Sequence, residues 1–174
     1  MIQYRLATKS DAEKIAHIHA HSWQINYKGI LTDEYLNNNV FNDRMSIWKQ
    51  RFESPKKNQH VILAEDKNKI IGFACTYLKE DKKWGALLDN LHVIADWKGQ
   101  GIGRELMRRS ALWVNENDPN SNFYLLVLKN NKAAIQFYEK LGGIKESIFA
   151  EKLPDGEIRE VFRYVWTDLK ILIR

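Results

Sequence analysis

The sequence predicts an α/β protein in which helices cover the faces of a mixed β-sheet. Three observations support this fold class. Apolar residues recur at helical spacing between residues 12 and 53, alternation with β-rich composition begins at His60, and predicted hairpins are interspersed with crossover helices in the second half. The predicted order of elements is β-α-α-β-β-β-α-β-α-β-β, with about seven strands.

The N-terminal part of the chain is expected to be mostly helical. Residues 2–6 form a short strand, and Thr, Ser and Asp capping residues precede a helix over residues 12–25. A glycine and a second threonine cap predict a break, followed by a short helix through Tyr35 and Leu36. A further helix is predicted over residues 43–53, because apolar residues recur there at helical spacing and a proline follows.

From His60 onwards the predicted elements are mostly strands. A tight turn at residues 66–69 joins two strands into a hairpin, and residues 154–156 form the turn of a second hairpin. Two amphipathic helices provide crossovers, one beginning at Ile102 and one running from about residue 134 to two glycines at 142–143. The predicted strands cover residues 61–64, 70–77, 87–94, 123–128, 144–152 and 158–166.

The composition limits the classes of protein to consider. The chain has 174 residues, of which 44% are hydrophobic and 28% charged, as expected for one soluble globular domain spanning residues 1–174. No stretch approaches the ~20 consecutive apolar residues of a membrane span, and one cysteine, Cys75, cannot form an internal disulfide. The net charge of +5 is spread along the chain, which argues against nucleic-acid binding. We expect a cytoplasmic monomer or homodimer.

A glycine-rich turn after the strand at residues 87–94 is the most informative segment. Gly99, Gly101 and Gly103 open a predicted helix, where backbone amides and the positive end of the helix dipole favour a phosphate. A Walker A loop needs Lys and then Ser or Thr after its last glycine, and a Rossmann fingerprint needs a glycine where Arg104 stands, so neither pattern fits. On spacing alone, a strand-to-helix turn without a ligand stays an alternative.

The turn resembles the pyrophosphate loop of the GNAT superfamily of acyl-CoA-dependent N-acetyltransferases, whose pattern is Gln/Arg-x-x-Gly-x-Gly/Ala. Residues 98–103 match this pattern with one departure, since Lys98 replaces glutamine or arginine. Residues 131–142 resemble the family's second motif, Asn-x-x-Ala-x-x-Phe-Tyr, and the likeness in element order extends from residue 2 to about residue 166. The resemblance implies the GNAT fold, with a central, mostly antiparallel mixed sheet, and a single N-acetyltransferase domain.

The resemblance also implies a site for acetyl-CoA as co-substrate, and no metal. The strand before the loop is similar to the family's cofactor strand, whose main chain bonds the pantetheine arm, while the loop amides bind the pyrophosphate. The residues implied to bind the cofactor are Leu91, His92, Val93, Lys98, Gly99, Gln100, Gly101, Ile102, Gly103, Arg104, Asn131 and Ala134. Asn131 also caps a helix, which by itself would explain the residue.

Acetyl transfer to an amine requires that the amine lose a proton and that an acid protonate the departing thiolate. Tyr138 resembles the family tyrosine that protonates the thiolate of coenzyme A, and a half-buried helix aromatic is the alternative. Asp89 is the preferred general base, acting through a water, and strand alternation places it on the same face as Leu91 and Val93. An exposed carboxylate at a strand end is the alternative. His92, on the other face, is a weaker candidate for the base.

The acceptor pocket is expected among the first helices, which wall this pocket in the family. Trp23, Tyr27 and Tyr35 are its candidate lining residues, and aromatic core packing is the alternative for each. His17 and His21 share a helix face at i, i+4 spacing, but no further ligand pattern accompanies them, so no metal site is predicted.

We therefore expect an N-acetyltransferase that transfers the acetyl group of acetyl-CoA to a primary amine of a small molecule or peptide by direct attack in a ternary complex. A non-catalytic acyl-CoA-binding sensor of the same fold and a basic nucleic-acid-binding domain are the alternatives. The presence of Tyr138 favours the enzyme over the sensor. The sequence does not identify the amine, because the acceptor determinants lie in variable loops.

Overall fold

The computed structural model describes all 174 residues. Its strands are β1 (Gln3–Leu6), β2 (Gln59–Asp66), β3 (Lys69–Asp81), β4 (Gly85–Val93), β5 (Phe123–Leu128), β6 (Ile144–Lys152) and β7 (Ile158–Trp166). They form one seven-stranded sheet in the order β1-β2-β3-β4-β5-β7-β6. Neighbouring strands are antiparallel except β4 and β5, which are parallel. The predicted fold class, a mostly antiparallel mixed sheet with helices, is confirmed.

The helices are α1 (Ala12–Asn26), α2 (Val40–Glu53), α3 (Ile102–Asn117), α4 (Lys132–Lys140) and α5 (Lys170–Ile173). The crossovers α3, after β4, and α4, after β5, agree with the prediction. The sequence does not predict α5, since four residues are too few to show a helical period. Its Leu172 is buried in the core beside α3. None of the helices combines the length and the apolar character that a membrane span requires.

One helical segment differs from the prediction. The sequence predicts separate helices through Tyr35 and Leu36 and over residues 43–53, whereas a π-helical stretch at Tyr35–Asn39 continues directly into α2. No glycine or proline lies between Thr32 and the end of α2, so nothing in the sequence interrupts the helix. A π-helical turn accommodates one extra residue, and such turns are frequent at functional sites.

The helices form two layers, one on each face of the sheet. Alternate residues of β2 supply the two cores, because successive side chains of a strand point to opposite faces. Ile62 belongs to the core under α3 and α5, which includes the buried Leu106. Val61 belongs to the core under α1 and α2, where Trp48 and Phe73 are fully buried.

The sheet opens between β4 and β5. These parallel strands pair only near their beginnings, through Ala86 with Phe123 and Leu87 with Tyr124. Beyond these pairs both strands line a cleft. Because β4 and β5 no longer pair with each other there, the main chain of β4 can bond to a ligand in the cleft.

A β-bulge interrupts β4 at the edge of this cleft. Cys75 pairs with Asn90, and the next residue of β3, Thr76, pairs with Leu88. Asp89 is therefore an additional residue between two pairs, which breaks the alternation of side chains along the strand.

The bulge changes the predicted direction of the Asp89 side chain. Its carboxylate lies against Arg51 of α2, and so does the side chain of Asn90, the next residue. Leu91 and Val93 instead pack against the core on the α3 face. The prediction that Asp89 shares a face with Leu91 and Val93 is therefore wrong, because strict alternation does not hold across a bulge.

Candidate active site

The opening between β4 and β5 forms a cleft with a volume of about 700 Å³. Its walls come from both strands, the glycine loop before α3, α4, the C-terminal part of α1, α2 and the β6–β7 hairpin. Most predicted site residues line the cleft: Trp23, Tyr27, Asp89, Leu91, His92, Val93, Lys98, Gly99, Gly101, Gly103, Arg104, Asn131, Ala134 and Tyr138. Gln100, Ile102 and Tyr35 do not.

The glycine loop is open towards a ligand. Gly99 and Gly101 have φ angles of +78° and +81°, a region that favours glycine. A Cβ atom added to either residue would have no other atom within 4 Å, so the space above the loop is free. Gly101 is the N-cap of α3, whose first amides have no acceptor inside the helix and therefore favour an anion.

Two of the predicted cofactor residues shape the loop instead of facing the cleft. Gln100 Nε2 donates to the carbonyl oxygen of Asp96 at 3.2 Å. Ile102 is 1% exposed and belongs to the core under α3. The prediction that these two residues bind a ligand is therefore not supported for their side chains, although their backbone amides belong to the loop.

Two cations flank the loop. Lys98 Nζ donates to Asn26 Oδ1 at 2.9 Å, across the mouth of the cleft. Arg104 lies exposed in the first turn of α3, whereas the two later arginines of this helix pair with Glu105. The open loop, the helix N-terminus and these cations together suit a ligand with several phosphates.

Tyr138 lies in the middle of the cleft wall, on α4. Burial raises the pKa of its phenol, and the neighbouring Tyr27 raises this pKa further. The hydroxyl therefore keeps its proton at neutral pH and can donate it. Asn131 accepts a hydrogen bond from Ala134 N at 3.2 Å, which confirms its predicted capping role. Burial also raises the pKa of Tyr27, and a hydrogen bond with the Asn131 side chain opposes that effect.

Asp89 faces the cleft from the bulge of β4 and is held by an arginine. Arg51 Nη2 lies 2.7 Å from Asp89 Oδ2, and Arg51 Nη1 donates to Asn90 Oδ1 at 2.8 Å. The Arg51 guanidinium also lies 4.9 Å from the ring centroid of Trp48. This ion pair fixes the orientation of the carboxylate, and the paired Oδ2 atom is buried with no hydrogen bond besides it.

A polar cluster lies beneath the cleft between α1 and β4. His92 Nδ1 and Ser22 Oγ share a hydrogen bond of 2.8 Å, and the His19 ring lies 4.6 Å from that of His92. Trp48 Nε1 donates to His19 Nδ1 at 3.0 Å. Burial, assisted by nearby cations, lowers the pKa of His92 to about 3, and burial lowers that of His19 well below 6.5. Such a weak base is poorly suited to take a proton from an amine.

The other end of the cleft is aromatic, as the sequence predicts for an acceptor pocket. Trp23 and Tyr27 line it, and their ring centroids are 5.1 Å apart. Tyr35 is only 6% exposed, and its hydroxyl donates to Asp43. It therefore supports the pocket from behind, and the prediction that it lines the pocket is wrong.

Several cleft residues carry no pattern that the sequence could reveal. Ser22, Asn26, Arg44, Arg51 and Glu151 all line the cleft, but each is a single polar residue on a helix or an edge strand. The Lys98–Asn26 hydrogen bond and the Arg51–Asp89 ion pair join segments that are far apart in the chain, and only the folded structure brings them together.

The histidines of α1 do not form a cluster of metal ligands. The His17 ring lies against that of Phe41, tilted by 45° with ring centroids 4.4 Å apart, while His21 is exposed. No group of three or more His, Cys, Asp or Glu side chains lies close enough together to hold a metal ion.

A sheet that opens beside a glycine loop at a helix N-terminus, with a half-buried tyrosine in the same cleft, fits the class of acyl-group transferases that the sequence motifs predict. The model of the acetyltransferase (GNAT) family matches residues 13–143, more than half of the chain, and the chain belongs to this family. Over 139 residues it is 27% identical to YuaI, an uncharacterized N-acetyltransferase of Bacillus subtilis. That match covers 71% of this chain and 78% of YuaI.

Solved structures share the fold over nearly the whole chain. The PaiA N-acetyltransferase of Thermoplasma acidophilum, in complex with coenzyme A, superposes with a TM-score of 0.70 at 20% identity, covering 95% of this chain and 99% of that one. A point mutant of the spermidine N-acetyltransferase SpeG of Vibrio cholerae gives a TM-score of 0.68 at 18% identity, covering 98% and 96%. These likenesses show the fold.

Proposed function

We propose that the protein transfers the acetyl group of acetyl-CoA to a primary amine of a small molecule or peptide, by direct attack in a ternary complex. The observation that carries this proposal is the continuity of the cleft. One cavity of about 700 Å³ joins the glycine loop, Tyr138 and the aromatic pocket around Trp23 and Tyr27. Two substrates can therefore lie in it side by side, as direct transfer requires.

Acetyl-CoA supplies an acetyl group activated as a thioester. The residues present fit its phosphates, because the loop from Gly99 to Gly103 offers free amides and open space, with Lys98 and Arg104 beside it. The unpaired main chain of β4 around Leu91 is suited to the pantetheine arm. Coenzyme A in the PaiA structure supports this assignment.

Asp89 is the proposed general base. An amine with a pKa of ~10.4 is mostly charged at neutral pH and must lose a proton before it attacks. Arg51 Nη2 lies 2.7 Å from Asp89 Oδ2 and fixes the orientation of the carboxylate. The other oxygen, Oδ1, can then take the proton from the amine through a water. The neutral His92 lies nearby but, with a pKa of about 3, is the weaker candidate.

Tyr138 is the proposed general acid. Its raised pKa keeps the phenol protonated, and the proton then passes to the sulfur when the thioester carbon–sulfur bond breaks. The Tyr27 hydroxyl next to it belongs to the acceptor pocket, so the proton donor stands where the two substrates meet.

The test is release of free thiol from acetyl-CoA in the presence of a panel of amines: polyamines, amino acids, aminoglycosides and peptides. We expect one class to raise thiol release well above the rate without amine. Initial rates with both substrates varied should give intersecting lines, as a ternary complex requires; parallel lines would indicate a covalent acetyl-enzyme instead.

A calorimetric titration with coenzyme A accompanies the panel and separates the alternatives. Binding without thiol release for any amine would favour the sensor, which keeps the fold and the cofactor but not turnover. Absence of binding would overturn both the enzyme and the sensor.

A further inference from the structure

Arg44 is a buried cation whose hydrogen-bond donors are not all satisfied. It lies at the end of the cleft that Trp23 and Tyr27 line, which we call the acceptor end. Its side chain is 9% exposed, and the residue lines the cleft. Nη2 donates to Asp43 Oδ2 at 2.8 Å, while Nε is buried without any partner. The guanidinium carbon lies 4.3 Å from the ring centroid of Trp23, which also lines the cleft.

The surroundings of Arg44 hold it in place. The π-helical stretch at Tyr35–Asn39 directly precedes α2, and Tyr35 donates its hydroxyl to the same Asp43 carboxylate that accepts from Arg44. Asp43 is thus shared between two donors and satisfies one of the three nitrogens of Arg44. A buried guanidinium with unfilled donors is costly, and a ligand with an anionic oxygen would supply the missing partner.

Arg44 differs from Arg51, the other arginine at this end of the cleft, because one of its buried nitrogens has no partner. Arg51 forms an ion pair with Asp89, in which Nη2 and Oδ2 are 2.7 Å apart. On the opposite wall Glu151 of β6 lines the cleft without an ion pair, because Arg159, its cross-strand neighbour, pairs with Asp155 at 3.0 Å. The acceptor end therefore offers one arginine with an unsatisfied nitrogen and one carboxylate without an ion pair, beside apolar side chains.

We propose that the acceptor is an amine that also carries a carboxylate, as an amino acid does, and that Arg44 binds this carboxylate. The inference rests on the proposed function and names its substrate class. Arg44 presents a planar set of donors that matches a carboxylate, and Trp23 and Tyr27 cover the apolar part of the acceptor. Polyamines, which carry several ammonium groups and no anion, would find a single unpaired carboxylate, Glu151, and would be repelled by Arg44.

The first experiment compares matched acceptors with the wild-type protein. Each amino acid of a panel is measured beside its amide and beside the amine that lacks the carboxyl group, with thiol release as the readout. We expect kcat/KM for each amino acid to exceed that for its amide and for its decarboxylated amine by at least about 10-fold. The reason is that a site built around a charged hydrogen bond rejects ligands that lack the carboxylate. The proposal is overturned if the protein acetylates amides, decarboxylated amines or polyamines as well as, or better than, the amino acids.

The second experiment removes the cation. Arg44→Gln should lower kcat/KM for carboxylate-bearing acceptors by about 10- to 1000-fold and leave the weaker rates for the amides nearly unchanged. Arg44→Lys keeps the charge but loses the planar donors, and it should give an intermediate decrease in kcat/KM for these acceptors. It replaces Arg44→Gln in the experiment if Arg44→Gln does not fold. Lys49→Gln removes a charge from the exposed side of the same helix and should change neither rate.

The affinity for coenzyme A, measured by calorimetry on the same variants, separates the outcomes. An unchanged affinity with a lost preference for carboxylates supports the proposal. A loss of coenzyme A affinity in Arg44→Gln, or an equal loss of rate for every acceptor, would overturn it and leave the proposed acetyl transfer standing. Coenzyme A binding without acetylation of any amine would overturn the transfer reaction and this inference together.

Discussion

The two ends of the cleft are built from different parts of the polypeptide. At the cofactor end, one continuous segment from β4 to the start of α3 supplies main-chain groups and the open glycine loop. At the acceptor end, side chains converge from α1, α2 and β6, among them Trp23, Arg44 and Glu151. Under the proposed function, a ligand at the first end would be bound mainly through the backbone, whereas a ligand at the second end would be selected by individual side chains.

The difference has a direct consequence for mutation. At the cofactor end, we expect binding to depend mainly on the glycine geometry and on the two cations, Lys98 and Arg104. At the acceptor end, a single substitution can alter which amine fits, while cofactor binding stays the same. Tyr138 lies between the two ends and should respond in neither way, since we propose that its hydroxyl protonates the sulfur when the carbon–sulfur bond breaks.

Replacement of Tyr138 by Phe should have the largest effect. The ring and its packing against Trp166 remain, so affinity for both substrates should hardly change. Loss of the proton donor should lower kcat by about 10- to 1000-fold, within or just below the range for general acid catalysis. A single-turnover measurement observes acetyl transfer directly and avoids slow product release.

Tyr4→Phe, which removes a hydroxyl outside the cleft, is the matched control and should retain the wild-type rate. A wild-type single-turnover rate in Tyr138→Phe would overturn the acid role and leave Tyr138 as a packing residue.

A branched side chain in the loop should act on the cofactor end alone. Gly101→Val should weaken coenzyme A binding by about 10- to 100-fold, or ~1.4 to 3 kcal/mol, because the added atoms enter the free space above the loop amides. Gly101 has φ +81°, so the substitution also strains the backbone by ~1–2 kcal/mol.

Gly156→Val controls for that strain, since Gly156 has φ +87° and equally open surroundings but lies in the β6–β7 turn. Both variants should lose similar thermal stability, and only Gly101→Val should lose affinity in calorimetry. Equal affinities in the two variants would show that the loop is a structural turn.

Removal of an aromatic ring should act on the acceptor end alone. Trp23→Ala enlarges the pocket and removes the ring beneath Arg44, so relative kcat/KM values among amines should change by about 10-fold. Affinity for coenzyme A should stay within a factor of about 2, because no loop contact is lost. A lower melting temperature with an unchanged acceptor profile would instead identify Trp23 as a core residue.

The histidines beneath the acceptor end should act on stability in acid. The folded protein keeps His92 neutral down to about pH 3, while the unfolded chain takes up a proton below about pH 6.5. The unfolded state therefore binds more protons in this window. As the pH is lowered from 6.5 to 3, this group decreases the free energy of unfolding by at most ~1.4 kcal/mol per pH unit. Denaturant unfolding of wild type and His92→Asn checks this, and identical pH slopes would contradict it.

The sequence predicts the glycine loop and the helix that follows it because this segment is local. Its glycines, cap and helix lie within one short segment, and the physical requirement for a phosphate is visible in their spacing. The bounds of β5, β6 and β7 agree with the predicted ranges, since β-rich composition and a clear turn mark them.

The acceptor end depends on contacts that no local pattern contains. The bulge at Asp89 arises from how β3 and β4 pair, and it turns the carboxylate towards Arg51. The continuous helix into α2 places Tyr35 behind the pocket and Arg44 in its wall. Each of these residues is ordinary in its own segment, and its role appears only when distant segments meet.

The hydrogen bond from Thr32 N to Asp155 Oδ2, 2.9 Å long, joins segments 123 positions apart. The ribosome makes the chain from its N-terminus, so the glycine loop and α4 leave the tunnel before the hairpin that carries Asp155. The contact between Thr32 and Asp155 can therefore form only after the β6–β7 hairpin has been made. Because the same last strands also complete the core under α3, the whole cleft, and not only the wall supplied by the hairpin, waits for the end of synthesis.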